Sequence, residues 1–121
     1  NYDCFVRQDT RLPMMYMDDA IRATLELMAT PVESLTDARA GYNIAGCSFT
    51  AEELADAIKS RVDNFECTFT PDIRQEYADS WPDSVDDSEA KNDWAWEAQY
   101  GLENLVDEML ANLIHKYEVE A

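Results

Sequence analysis

A tryptophan within Ala78-Asp79-Ser80-Trp81-Pro82 stands in a context suited to chemistry. The following proline restricts the backbone, so the indole of Trp81 can offer a small ligand a flat apolar wall and one N–H donor. The same setting suits a tryptophan that anchors its loop on the core, and the local residues leave both roles open. The other reactive side chains form no constellation. Asp79, Asp83, Asp86 and Asp87 lack the alternating oxygen ligands and central glycine of an EF-hand loop, and read as a solvated acidic surface rather than a metal site. His115 is the single histidine, with no partner for a catalytic triad; towards the end of a helix its cation would suit the dipole, so it reads as structural. Cys4, Cys47 and Cys67 are odd in number and contain no C-x-x-C, which points to reduced, mostly buried thiols rather than a zinc site or a disulfide framework. Met14, Met15 and Met17 fit an adaptable core or a soft binding surface.

Two absences bound the chemistry further. Gly41, Gly46 and Gly101 are the only glycines and lie too far apart for G-x-G-x-x-G, the turn that lets a backbone approach a pyrophosphate at a helix N-terminus. None of the six tyrosines is followed four residues later by lysine, so a Tyr-x-x-x-Lys proton-transfer pair is missing as well. No catalytic and no cofactor-binding residue is expected within these 121 residues.

Length and composition suit a single domain or a fragment spanning 1–121, with a 46% apolar fraction that argues against disorder. No run approaches the roughly 18 consecutive apolar residues of a membrane span, and no secretory leader pattern is visible. The chain starts at Asn1 with Asp3-Cys4-Phe5-Val6-Arg7 already in mid-element, as expected of a fragment or processed piece. A net charge of −17, from 26 acidic against 9 basic residues, would repel a phosphate backbone and speaks against nucleic acid or an anionic membrane as partner. The excess fits adaptation to a salt-rich cytoplasm, where screening lowers self-repulsion, or an acidic surface at ordinary salt; stability followed from low to molar salt separates the two.

The elements that must position these residues are mainly helices. After an extended opening, Asp18 or Asp19 is placed to cap a helix with Ala20, Ile21, Leu25 and Met28 on one face, ended by Thr30-Pro31. A polar connector from Glu33 to Ala40 leads to a short strand over Gly41–Ala45. Thr50-Ala51-Glu52-Glu53 is a capping box, and Phe49 with Leu54 forms its hydrophobic staple; Leu54, Ala57, Ile58, Arg61 and Val62 share a side of the helix that follows. Phe65–Thr70 reads as a strand closed by Pro71, and 71–87 as an ordered irregular loop, the usual seat of function on a rigid scaffold. A short helix over Asp87–Asp93 precedes a terminal amphipathic helix with Leu102, Leu105, Val106, Met109, Leu110, Leu113 and Tyr117 in line, capped by Gly101.

Three runs, in order, carry a resemblance: Leu12-Pro13-Met14-Met15-Tyr16-Met17-Asp18-Asp19, Ala78-Asp79-Ser80-Trp81-Pro82, and Asp86-Asp87-Ser88-Glu89-Ala90 through Trp94-Ala95-Trp96. Together they resemble the C-terminal half of the NAD-dependent L-threonine 3-dehydrogenases, which belong to the extended short-chain dehydrogenases. The resemblance implies an α/β substrate-binding lobe, mainly helical with a few short strands, whose nucleotide-binding Rossmann half lies outside this chain. It implies that Trp81 lines the substrate pocket and that Asp19 is a helix-start carboxylate with a structural role. Sugar-nucleotide relatives usually carry a basic residue where Leu12 stands, and Arg-x-Gly-Asp where this chain has Arg74-Gln75-Glu76-Tyr77; losing these phosphate contacts favours a small substrate without phosphate. Ala95 replaces the glycine of the family's Trp-Gly-Trp, a swap that costs stability if the position needs a positive φ. For the intact enzyme the resemblance implies oxidation of L-threonine to 2-amino-3-ketobutyrate with NAD as cofactor, a homodimer, and a cytoplasmic location in bacterial-type members or the mitochondrial matrix in animal ones. This chain alone is expected to be inactive. The alternatives are a non-catalytic binding or assembly module derived from the same fold, and the same fold acting on another small substrate.

Overall fold

The computed structural model describes residues 1–36 and 41–120, with side chains as far as Tyr117. Its elements are β1 (Tyr2–Cys4), β2 (Arg11–Met14), α1 (Met17–Ala29), a 3-10 turn at Val32–Ser34, β3 (Cys47–Thr50), α2 (Ala51–Lys59), β4 (Cys67–Phe69), α3 (Arg74–Asp79), α4 (Ser88–Trp94) and α5 (Leu102–Glu120). The expected α/β class with a few short strands is what is found. Among the described residues no helix is long and apolar enough to cross a membrane.

The strands form two two-stranded ladders, β1 parallel to β4 and β2 antiparallel to β3, the latter pairing Leu12 with Phe49 and Pro13 with Ser48. A two-stranded ladder leaves every strand an open edge, so Pro13 costs no central hydrogen bond. β3 runs straight into α2 through the expected capping box. The Thr50 side chain accepts from Glu53 N–H at 3.1 Å, while the Glu53 carboxylate accepts from Thr50 N–H at 2.7 Å. Arg11 Nη2 on β2 donates to both oxygens of the same carboxylate, and the Thr50 amide, followed by Arg11, holds its pKa below the usual range.

Two small cores result. Ala57, Leu105 and Val106 are buried where α2 meets α5, with Leu54, Ile58, Leu102 and Leu110 around them. Ala23, Ala90 and Trp96 are buried where α1 meets α4, with Met15, Tyr42, Ile44 and Trp94 around them. Arg61, expected on the helix, lies just past its end at Lys59 and ties α2 to α5 by ion pairs with Glu103 and Asp107.

Four expectations need correction. First, α1 buries the opposite side from the one its apolar pattern suggests. Asp19 and Ala23 face inward, whereas Ile21, Leu25 and Met28 are exposed together with Met17, half a turn away at 3.6 residues per turn. The helix takes its orientation from what its polar side can bond, and the apolar stripe is left without cover. Second, neither Asp18 nor Asp19 caps α1, because Tyr16 occupies the cap position and makes no side-chain bond there. Third, Gly41–Ala45 is not a strand. Its backbone serves the aromatic cluster instead, the Ala45 carbonyl accepting from Trp96 Nε1 at 3.1 Å, and Gly46 passes so close to the Met14 carbonyl that a Cβ would lie 2.5 Å from it. Fourth, 71–87 is not wholly irregular, since α3 forms within it. Residues 37–40 of the Glu33–Ala40 connector lie outside the described residues.

The terminal stripe divides as well. Gly101 opens α5, its carbonyl accepting from Leu105 N–H, and Leu105 and Val106 are buried, but Met109, Leu113 and Tyr117 are exposed.

Candidate functional site

The segment carrying Trp81 is built from β4 onward. Pro71 ends the strand, and Asp72 starts α3 by accepting from Arg74 N–H and Nε, both at 2.9 Å; these bonds hold its carboxyl below the usual range. The Arg74 guanidinium then lies 3.5 Å from the Phe5 ring centre, a cation–π contact that fastens the start of α3 to the β1–β2 loop. One residue on, Gln75 is buried and uses both ends of its amide. Its Oε1 accepts from Arg7 N–H at 2.7 Å and from Thr10 Oγ1 at 3.2 Å, while Nε2 donates to Asp79 Oδ1 at 2.7 Å. Asp79 also receives Arg7 Nη2 at 2.7 Å and Nη1 at 3.3 Å, and these bonds, Arg7 foremost, lower its pKa.

Trp81 follows with its N–H on the Ala78 carbonyl, and its side chain is 62% exposed. It is therefore not an anchor sunk into the core. Ile73 and Tyr77, at intervals of four residues before it, are equally bare, so α3 and its exit present an apolar strip. After Pro82, the Asp83 carbonyl accepts from Ser48 Oγ on β3.

Asp19, expected to be structural, is so through a different contact. It is 1% exposed, and its carboxylate accepts from Gln99 N–H at 3.0 Å, Tyr100 N–H at 2.9 Å and Arg22 Nη2 at 2.8 Å. Burial by itself raises its pKa, but the bonds from Arg22, Tyr100 and Gln99 outweigh it and the net shift is downward. Arg22 also stacks 4.4 Å from the Trp96 ring centre. Ala95 does adopt the left-handed conformation, φ 59°, where a glycine would be unstrained.

The remaining candidates stay apart from Trp81. Leu12 lines an apolar cavity of about 270 Å³ with Phe5, Phe49, Leu54 and Phe65, so an apolar residue there has a packing role. Met14, Met15 and Met17 lie along a groove of about 490 Å³ against Leu105, Met109 and Leu113 of α5; Met15 packs on the Trp96 cluster, whereas Met17 is exposed. The three cysteines are free and half-buried rather than mostly buried, and burial pushes the thiols of Cys47 and Cys67 up, away from nucleophilic thiolate. Asp87 is buried and paired with Lys91, Asp86 accepts from Ser88 N–H, and His115 is exposed on α5, which runs on to Glu120, so it does not stand in the last turn as expected. Among the described residues no cluster of three or more His, Cys, Asp or Glu could hold a metal.

Sequence reasoning missed Arg7, Ser48 and the buried amide of Gln75. Arg7 reaches Asp79, Ser48 reaches Asp83, and the Gln75 carbonyl reaches Arg7 and Thr10 across 35 to 72 residues of chain, so no local spacing marks these contacts.

No protein-family model matches the chain. It is 48% identical over 110 residues to the mitochondrial L-threonine 3-dehydrogenase of Bos taurus, covering 90% of this chain and 29% of that protein. An uncharacterized epimerase/dehydratase of Staphylococcus aureus is 37% identical over 121 residues, covering 99% of this chain and 37% of the relative. Among solved structures, the holo form of the GalE-like L-threonine dehydrogenase from Cupriavidus necator is 55% identical with a TM-score of 0.88, over 93% of this chain and 36% of that one. The chain thus spans about a third of the length of the relatives it matches.

Proposed function

We propose that this chain, which has the sequence and fold of the C-terminal portion of GalE-like L-threonine dehydrogenases, is the substrate-side lobe of an enzyme with that activity. The intact protein would oxidise the β-carbon of L-threonine to give 2-amino-3-ketobutyrate, hydride passing to NAD held by a nucleotide-binding half outside these residues. Trp81 would close one wall of the substrate pocket.

The observation that carries this reading is the state of Trp81. An indole fixed in its backbone yet 62% exposed, in line with bare Ile73 and Tyr77, is placed to be completed by a second body rather than by its own core. Leu12 where sugar-nucleotide relatives carry a basic residue, and an Arg74 guanidinium taken up by Asp72 and Phe5, favour a small unphosphorylated substrate. In the intact enzyme Trp81→Ala should lower kcat/KM for L-threonine while the KM for NAD stays within twofold, roughly, as expected for loss of a substrate contact alone. Equal loss on both substrates, or none, defeats the assignment. The 121-residue chain by itself should give no threonine-dependent NADH and no tight NAD binding; turnover would show that the nucleotide site is here after all.

A second reading, a free-standing assembly module, draws support from the bare stripe of Met17, Ile21, Leu25 and Met28 on α1. In a severed lobe that stripe belongs against the nucleotide-binding half, whereas in a module it would join copies of the chain. Size-exclusion chromatography separates them: a defined oligomer of the 121-residue chain favours the module, and aggregation or a loose monomer favours the lobe. A substrate screen on the complete enzyme tests whether threonine, rather than another small alcohol, is oxidised. The intact enzyme is taken to be a homodimer.

A further inference from the structure

We propose that Arg7, Gln75 and Ser48 are positioning residues which fix the Trp81 indole by clamping its loop on both sides. The proposal rests on the reading of Trp81 as a substrate contact. An indole that is 62% exposed gains little from packing, and if its backbone were loose the entropy of fixing it would oppose substrate binding. Here the backbone is held two residues before and two residues after the ring.

On the N-terminal side the anchor is Asp79, gripped through both oxygens by the Arg7 guanidinium and through Oδ1 by Gln75 Nε2. Gln75 is fixed in turn, because its carbonyl end is taken by Arg7 N–H and Thr10 Oγ1 while its amino end faces Asp79. A neutral amide accepts at one end and donates at the other, which an ionised carboxylate of the same size cannot do. On the C-terminal side the anchor is the Asp83 carbonyl, held by Ser48 Oγ, with Pro82 restricting the link between. The clamping groups sit on different supports, Arg7 on the β1–β2 loop and Ser48 on β3. β3 is itself paired and the β1–β2 loop joins two paired strands, so Trp81 takes its position from the framework as well as from its neighbours in sequence.

The test uses the complete enzyme labelled with 5-fluorotryptophan, the Trp81 fluorine resonance being identified by its loss in Trp81→Phe. Arg7→Met and Ser48→Ala each remove one anchor, and Gln75→Glu keeps the size of the side chain while setting a carboxylate against Asp79. The expected result is a shifted or broadened Trp81 resonance and a KM for L-threonine raised roughly tenfold in Arg7→Met, as for a misplaced binding group, with the KM for NAD unchanged. Arg7→Lys should recover part of the loss, and Ser48→Ala, which deletes a single hydroxyl, should give a smaller rise in the same direction. An unchanged resonance and unchanged threonine KM in Arg7→Met and Ser48→Ala overturn the clamp. A raised KM in Trp81→Ala with none in the anchor variants also overturns it while sparing the pocket reading. If Trp81→Ala itself leaves the threonine KM unchanged, the pocket reading fails, and the clamp fails with it as a device for catalysis.

Discussion

Trp96 and Trp81 are treated in opposite ways by this molecule. Trp96 is 1% exposed, its Nε1 satisfied by the Ala45 carbonyl, its face covered by Arg22 and its edges packed by Ala23 and Ala90. Trp81 is open to solvent, and only the backbone around it is tied down. A tryptophan that closes a core contributes its area to the fold, whereas one held out on a clamped loop has its area left for something else. The difference teaches that burial and order are separable: the Trp81 loop is ordered by hydrogen bonds to Asp79 and Asp83 without being buried.

Substitutions can break this contrast. Trp96→Ala should destabilise the protein most, by about 4 kcal/mol in denaturant unfolding, since it empties the centre of the α1–α4 core. Asp19→Ala comes next, at about 3 kcal/mol, because it removes a buried carboxylate and leaves the part-buried amides of Gln99 and Tyr100 and the Arg22 guanidinium without their acceptor. The same carboxylate predicts an acid limb. Its folded pKa lies below the unfolded value of about 3.9, so its stabilisation is complete above that pH and is lost as pH falls through the lower folded value. Unfolding followed from pH 6 down to 2, roughly, should show this step in the parent and a shallower one in Asp19→Asn; equal slopes would remove Asp19 from the account.

Ala95→Gly works in the other direction. Relief of the left-handed strain at φ 59° should stabilise the protein by about 1 kcal/mol, seen as a higher midpoint with an unchanged denaturant slope. Smallest of all should be the stability effect of Trp81→Ala, within about 0.5 kcal/mol, as for an exposed side chain. A large loss there would make Trp81 an anchor like Trp96 and erase the contrast.

Where the signal was local, the amino-acid sequence was enough. Thr50 and Glu53 cap α2 because both partners lie within one turn, and the motif order from Leu12 to Trp96 pointed to the L-threonine dehydrogenases that the chain is similar to. The α1 stripe shows the limit of periodicity: Ile21, Leu25 and Met28 do form one face, but which face is covered depends on what lies opposite it. Asp19 won the inward position because Gln99 and Tyr100, 80 and 81 residues away, offer it amide donors. The loop over 71–87 likewise gave no hint of the Arg7–Gln75–Asp79 knot, because Arg7, which joins Gln75 to Asp79, comes from 68 to 72 residues away.

The sequence by itself thus determined the α/β class, the capping box of α2 and the acidic composition, and it marked Trp81 as the candidate side chain, all of which depend on residue type and short spacing. Tertiary structure decided which side of α1 is inside, which tryptophan is buried, and what holds Trp81 in place. Those outcomes depend on hydrogen-bond partners 35 to 81 residues apart, and only the folded chain brings them within 3 Å or so of one another.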